Sequence, residues 1–441
     1  GLNPEVLLII SSIFAGFIAW RVGLKWDDMM SGIREKFDMA MPSILILISI
    51  GILIGSWMIA GTIPMMIYYG LEMINPQFIV LISFIVTAVI SIVTGTSWGS
   101  AGTVGVALMG VAVGLDAPLA ATAGAIVAGA YFGDKLSPLS DTTILAPTVA
   151  GSELYEHIKH MLYTTIPATV IAVIVYFIAG LNVSVDGGPE SETMTAMLST
   201  LTQLFDWNLL LLLPVLIVLY GAITKKPTLP TIIFSSLVAG IIAWLYQGFS
   251  ISDIFASAVT GFDVSMAGYD SEAIMAEVTR LVNQGGMHAM LDVMLIAFSA
   301  FIFAGIITKA GILEVILDAL LKLTKRTGDL ILSTVSSTLT MALVTGSSYL
   351  TIIVPGEIFR DVYKKKKLQA KNLSRTLEDS GTVVMPLIPW SAAGVYMTGI
   401  LGVPTLSYLP WAIVCYLGFV FAIILGYTGI GIAKEEEIEK E

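Results

Sequence analysis

The sequence predicts an all-α protein that crosses a membrane many times and consists of two inverted repeats. Three observations carry that prediction. Of the 441 residues, 56% are hydrophobic and 12% charged, with a mean hydropathy of +0.88; a soluble domain carries roughly 25% charged residues. The apolar residues fall in blocks such as 78–93, 165–180 and 209–223, near the ~20 residues that cross a bilayer as helix. No alternating strand pattern accompanies them, and backbone in lipid must satisfy its own hydrogen bonds, so the spans are helical. The third observation is that the chain repeats itself. SSIFAGFIAW (11–20) matches SSLVAGIIAW (235–244) at 7 of 10 positions. GSWMIAG, VTGTSW and LSPLS then fall on GIITKAG, VTGSSY and LIPWS at displacements of 250, 251 and 251. The first pair is displaced by 224, so the second half carries an insertion, the polar stretch 265–290.

In the first half the spans read 5–20, 42–61, 77–114 interrupted at TGTSWGS, 118–148 interrupted at DKLSPLSD, and 165–181. The second half reads 207–223, 229–246, 292–309, 330–359 interrupted at TGSSY, 376–401 interrupted at IPWSAAG, and 411–427. Short amphipathic stretches, 63–74 and 312–323, sit at corresponding places. Each repeat is thus expected to hold five transmembrane helices, a re-entrant hairpin and an interrupted helix. The span 207–223 has no first-half counterpart, so a helix preceding Gly1 is expected. Span 5–20 lacks the basic start and cleavage site of a signal peptide and reads as a retained helix. The domain reading is repeat 1 over 1–181, an extracytoplasmic linker over 182–206, repeat 2 over 207–427 and an acidic cytoplasmic tail over 428–441.

Orientation follows from the basic residues. If each TGTSW/TGSSY segment is a hairpin that leaves on the side it entered, then 21–40, 149–164, 224–228, 309–329, 360–376 and the tail share one side. Those segments hold 20 of the 22 lysines and arginines. Full spans there would scatter the basic residues over both sides. The same reading sets the halves in opposite orientation. Inverted repeats with interrupted helices characterise secondary transporters with a site near the midplane.

Composition also excludes. The single Cys415 allows no internal disulfide, His157, His160 and His288 lie in polar stretches that read as surface, and no zinc motif occurs. The formal charge of −11 argues against a nucleic-acid partner. The run KKKK (364–367) beside a span fixes topology and touches anionic membrane lipids. No nucleophile–base pair or metal-ligand cluster points to an enzyme, and no repeated ring of charge points to a channel.

The chemistry belongs at the helix breaks. VTGTSWGSAG offers Thr94, Thr96 and Ser97 hydroxyls around Gly95, and VTGSSY offers Thr345, Ser347 and Ser348 around Gly346. Carbonyls freed by such a break, with nearby hydroxyls, suit a small hard cation. In GDKLSPLSDTT, Pro138 opens the ladder, and Ser137, Ser140, Asp141, Thr142 and Thr143 surround the opening. A carboxylate at that depth marks a functional site and must be matched by a cation or a proton. The expected sodium ligands are Asp141, Thr96, Ser97 and Ser140. The matching break keeps Ser391 but has Ala392 where Asp141 would fall. Asp134, Glu378 and Asp379 join Asp141 as proton-coupling candidates. Two of them have competing local roles: Thr376-x-x-Asp379 reads as a capping box, and Lys135 reads as a partner for Asp141 or an organic anion.

IGSWMIAGTIPMMIYYGL, TGTSWGSAGTVG, GDKLSPLSDTT and LEDSGTVVMPLIPW together resemble the NhaC-type sodium/proton antiporter family, part of the ion transporter superfamily, which also holds malate/lactate exchangers and amino-acid carriers. The resemblance implies a homodimer with paired hairpins and an elevator movement. A scaffold of 5–61 and 207–309 would hold a transport domain of 77–181 and 330–427, with 63–74 and 312–323 as arms. Pro389-Trp390-Ser391-Ala392-Ala393 and Ile144 depart from the family's more polar pattern. The reading is therefore Na+/H+ exchange across a bacterial inner membrane with Asp141 as the shared carboxylate and no cofactor beyond the transported ions. The alternative is cation-coupled carriage of a small organic anion or amino acid.

Overall fold

Long apolar blocks broken by glycine, proline and serine become helices that stop and restart. The computed structural model describes residues 4–181, 192–269, 274–322 and 324–435. The start of the expected linker, 182–191, and the end of the expected tail, 436–441, lie outside the described residues. Among the described residues every regular element is helical, apart from one isolated bridge between Leu368 and Lys434.

The first part of the chain runs α1 (Pro4–Arg21), α2 (Trp26–Ile59), α3 (Thr62–Met73), α4 (Ile79–Thr94), α5 (Ser97–Ser100) and α6 (Val106–Gly114). It continues with α7 (Leu119–Leu136), α8 (Asp141–Ala150) and α9 (Leu154–Leu181). Next come α10 (Glu192–Leu204), α11 (Leu213–Ile223), α12 (Thr228–Leu245), α13 (Ile251–Thr260) and α14 (Ala276–Val282). The last part holds α15 (Leu291–Lys309), α16 (Ile312–Leu321), α17 (Thr327–Thr345), α18 (Ser348–Lys365) and α19 (Ala370–Leu377). A π turn over Glu378–Thr382 follows, then α20 (Ala392–Leu401), α21 (Thr405–Tyr408) and α22 (Ile413–Thr428).

Seven helices among the described residues are long and apolar enough to cross a membrane, or ten if three bent pairs each count as one span. The outward faces of α1, α9 and α12 expose Phe14, Phe17, Val170, Ile174, Phe234 and Trp244. Apolar exposure on that scale is stable in lipid and not in water. This is a polytopic, all-helical membrane protein.

Several expectations shift in detail. The basic stretch 21–40 is mostly helix rather than loop, because α2 starts at Trp26, where the Lys25 N–H donates to Asp28 Oδ2 at 2.9 Å. The described end of the polar stretch 265–290 meets α2, with the Gly286 N–H donating to the Gly51 carbonyl at 2.9 Å. His157 and His160 are buried, not on the surface. Their helix α9 packs along α19, where His157 Nδ1 meets Ser374 Oγ at 2.8 Å and His160 Nε2 meets Asn372 Oδ1 at 3.2 Å.

Two packing units position the breaks. Helices α4 and α7 lie in close contact because Gly129 and Gly133 carry no side chain. A Cβ on either would press into the carbonyl of Phe84 or Ala88 on α4. Helices α8, α18 and α19 share a second core containing Ala146, Ile352, Phe359 and Leu377. Helix α2 runs past α12, α13 and α15 on the other side of the cavity between these parts.

Candidate functional site

Each expected break is present. At the first, Gly95 ends α4 in the left-handed conformation (φ 68°), with its N–H on the Ser91 carbonyl at 2.8 Å. A side chain would be strained there. Thr96 is extended and caps α5, accepting the Gly99 N–H at 3.2 Å. Gly346 does the same after α17 (φ 64°), followed by extended Ser347. The other two breaks also share a geometry. Ser140 caps α8 by accepting the Thr143 N–H at 3.4 Å, and Ser391 caps α20 by accepting the Gly394 N–H at 2.9 Å. Gly95 lies against Leu139, and Gly346 against Ser391, so each glycine turn touches the serine-capped break of its own half.

Many of the expected hydroxyls turn inward to local carbonyls. Thr94 Oγ1 donates to the Ile90 carbonyl at 2.9 Å, Thr345 Oγ1 to Met341 at 2.7 Å and Ser391 Oγ to Met385 at 2.6 Å. Ser137 Oγ reaches across to the Ile92 carbonyl at 2.8 Å and pins the second break to α4. All four hydroxyls are thus engaged with backbone carbonyls. Thr96, Ser97, Asp141, Thr142, Thr345, Gly346, Ser347 and Ser348 line one cavity of 360 Å³, together with Asp134 and Lys36. Thr96 and Asp141 also line an adjoining cavity of 490 Å³.

The carboxylates are arranged differently from the sequence expectation. Asp141 is exposed on the cavity wall, beside the Thr142 N–H at 3.0 Å, and accepts a hydrogen bond from the Tyr349 hydroxyl across the cavity. Ser97 does not turn to Asp141; its Oγ donates to Asp134 Oδ2 at 2.8 Å. Asp134 is only 8% exposed, and its Oδ1 has no hydrogen-bond partner among the described residues. The Thr143 hydroxyl donates to the Asp134 carbonyl at 3.0 Å and ties α8 to the end of α7. The set Asp141, Thr96, Ser97 and Ser140 is therefore split: Ser97 serves Asp134, and Ser140 is occupied as a cap. The physical reason is helical direction. Asp134 lies inside the last turn of α7, facing α5, while Asp141 begins a new helix at the cavity surface.

Lys135 and Asp379 also find other partners. They form a buried ion pair, 2% and 0% exposed, joining α7 to the π turn after α19. Lys135 is thus committed away from Asp141. The capping box is absent, because α19 runs through Thr376, whose hydroxyl donates back to the Asn372 carbonyl at 2.8 Å. Glu378 accepts from Thr382 Oγ1 at 2.8 Å through one oxygen, and its other oxygen lacks a partner among the described residues. Arg375, also buried, donates from Nη1 to the Gly431 carbonyl at 3.0 Å.

This block of α7 and α19 buries three carboxylates, Asp134, Glu378 and Asp379, with two cations, Lys135 and Arg375. The block thus holds one more carboxylate than cation. Sequence reasoning gave Tyr349 no role of its own and missed Arg375. Tyr349 sits inside the repeated VTGSSY motif, which was the available signal; Arg375 had none beyond a basic stretch.

The model of the Na+/H+ antiporter family matches residues 6–151 and 129–430. A Haemophilus influenzae protein described as an uncharacterized Na+/H+ antiporter is 53% identical over 98% of this chain and 92% of its own length. The Na+/H+ antiporter NhaC of Alkalihalophilus pseudofirmus is 36% identical over 98% of this chain and 91% of its own. The malate-2H+/Na+-lactate antiporter of Bacillus subtilis is 36% identical over 96% of this chain and 89% of its own. Matches of this identity along nearly the whole chain, with the NhaC proteins among them, show that the chain belongs to the Na+/H+ antiporter family, whose members are transporters and not enzymes.

Proposed function

We propose that the protein exchanges Na+ for H+ across a bacterial inner membrane and that Asp134, rather than Asp141, is the carboxylate the two ions share. The observation that carries this reading is the buried Asp134, with one oxygen on Ser97 and the other without a partner beside the cavity. A carboxylate held in a low-dielectric site is costly unless it is neutralised. Lys135, its chain neighbour, is held by Asp379 and cannot do so. A sodium ion or a proton can, and only one of them at a time. Thr96, Ser97 and Thr142 line the same cavity and offer the neutral oxygens a hard cation takes. Asp141, bridged to Tyr349, joins the two halves at the cavity wall and acts as a gate rather than as the ion ligand.

The remainder of the reading concerns architecture. The two halves are inverted repeats, the basic segments face the cytoplasm, and the protein works as a homodimer. The transport part, 77–181 and 330–427, moves against the scaffold of 5–61 and 207–309. What supports it is the recurrence of the same glycine and serine geometry at matched positions and the one-sided distribution of basic residues. In proteoliposomes, Asp134→Asn abolishes sodium-driven proton movement while the purified variant keeps its thermal midpoint within a few degrees. Wild-type exchange in that variant removes Asp134 from the mechanism.

A further inference from the structure

Three helices lead from the ion site to a second large cavity, and each passes the same apolar layer on the way. Along α2, Lys36 and Ala40 line the 360 Å³ cavity of the site, and Ile54 lines a separate cavity of 780 Å³. Helix α15 runs the other way: Phe301 faces the site cavity, and Asp292 and Val293 face the second one. On α20, Ala392 lines the first cavity, and Thr398 and Gly399 line the second. Ala392 and Thr398 are half-buried, whereas 393–397 between them are buried. The two cavities therefore lie at opposite ends of all three helices.

What separates them is carbon. Leu47 on α2, Met294 and Ala297 on α15, and Val395 and Tyr396 on α20 close around a gap of only 10 Å³, no more than one water needs. The Tyr396 hydroxyl is turned to the Trp98 carbonyl, to which it donates at 2.6 Å. A cation stripped of water finds no oxygen in such a layer and does not cross it. Gly399 permits the close approach, since a Cβ there would meet Met290 Sδ at 3.1 Å and Leu47 Cδ1 at 3.2 Å. The two mouths also differ in charge. The 490 Å³ cavity that adjoins the site carries Lys225 and Lys226, while Asp263 and Asp292 line the far cavity with no basic side chain among the described residues. An acidic mouth raises the local concentration of cations.

We infer that the layer of Leu47, Met294, Ala297, Val395 and Tyr396 is the gate that shuts the ion site from the side opposite the basic segments, and that the 780 Å³ cavity is the far mouth of the transport path, an assignment that rests on the exchange reading. The layer joins α2 and α15 of the proposed scaffold to α20 of the proposed moving part. Release of an ion to the far side therefore requires α20 to part from Leu47 and Met290.

The test joins the gate shut. Leu47→Cys and Gly399→Cys are combined and linked by mercuric ion in proteoliposomes; the native Cys415 is buried. Sodium-driven proton movement stops in the linked protein and returns when dithiothreitol strips the metal, while the wild type and each single variant continue under the same treatment. Independently, Ala392→Cys and Thr398→Cys, six residues and about 9 Å apart on one helix, are labelled with a membrane-impermeant thiol reagent in vesicles of either orientation without sodium. Ala392→Cys reacts faster from the side of the basic segments, and Thr398→Cys faster from the other. The assignment is overturned if the linked protein exchanges as before, or if the two thiols share one side or show no preference. Should the double variant fail to fold, the labelling decides. The untreated wild type keeps the two readings apart: no sodium-driven proton movement there sinks the exchange reading, while labelling from opposite sides still upholds the barrier.

Discussion

Replacing Asp379 by leucine leaves the Lys135 ammonium without its ion-pair partner at a position that is 2% exposed, between α7 and the π turn that follows α19. A charge stranded in this way costs ~3–5 kcal/mol, which at about 1.4 kcal/mol per tenfold is roughly 10²- to 10⁴-fold in the unfolding equilibrium. The burial of both partners argues for the upper part of that range. Removing both charges is different in kind. Lys135→Met with Asp379→Leu deletes the desolvation cost along with the attraction, and a well-packed apolar pair is often neutral or stabilising relative to a buried ion pair. The double variant is therefore expected to recover most of the loss, giving a coupling of at least ~2 kcal/mol in the double-mutant cycle. The assay is equilibrium unfolding by denaturant in detergent, followed by fluorescence of the eight tryptophans. A cost below ~1 kcal/mol for Asp379→Leu, the value of a solvated surface pair, would refute the reasoning. So would a double variant as unstable as the sum of the two single ones.

Three further outcomes follow from the same geometry. Asp141→Asn weakens apparent sodium affinity less than Asp134→Asn does, since Asp141 is exposed and bridged to Tyr349; isotopic sodium binding to both variants ranks them. Gly133→Ala destabilises by ~1–3 kcal/mol, because the new methyl meets the Ala88 carbonyl and Ser91 on α4 and forces α7 outward; denaturant midpoints check it. Lys36→Met raises the thermal midpoint at neutral pH by relieving a buried ammonium. Burial lowers the folded-state pKa of Lys36 below the usual lysine value of 10.5, so the unfolded chain binds the extra proton. Wild-type stability thus gains on that of the variant as pH rises through the lowered value toward 10.5, as a melting series between neutral and alkaline pH would record.

How much of this the sequence disclosed depends on whether the cause was local. Pro138 and the glycines at 95 and 346 act on their own backbone, so the breaks could be read from the residue types alone, and they fall where expected. The same holds for the serines at 140 and 391, which cap the helices that restart after them. Partnerships made over long separations could not be read. Thr376 and Asp379 have the spacing of a capping box, but Asp379 is claimed by Lys135, 244 residues away in sequence. His157 and His160 sit among polar neighbours along the chain, yet the packing of α9 on α19 buries them. Asp134 and Asp141 are the instructive pair. Both precede or follow the same break, and only the three-dimensional path shows that Asp134 turns into the protein toward Ser97 while Asp141 stays on the cavity wall.

The most direct test of the central claim is the sodium affinity of the purified protein measured at a series of pH values. One carboxylate, Asp134, taking either ion predicts an apparent dissociation constant that rises about tenfold for each pH unit below the pKa of the site, and no such dependence in Asp134→Asn. An affinity that stays constant across the series, or the same slope in the variant, would contradict it.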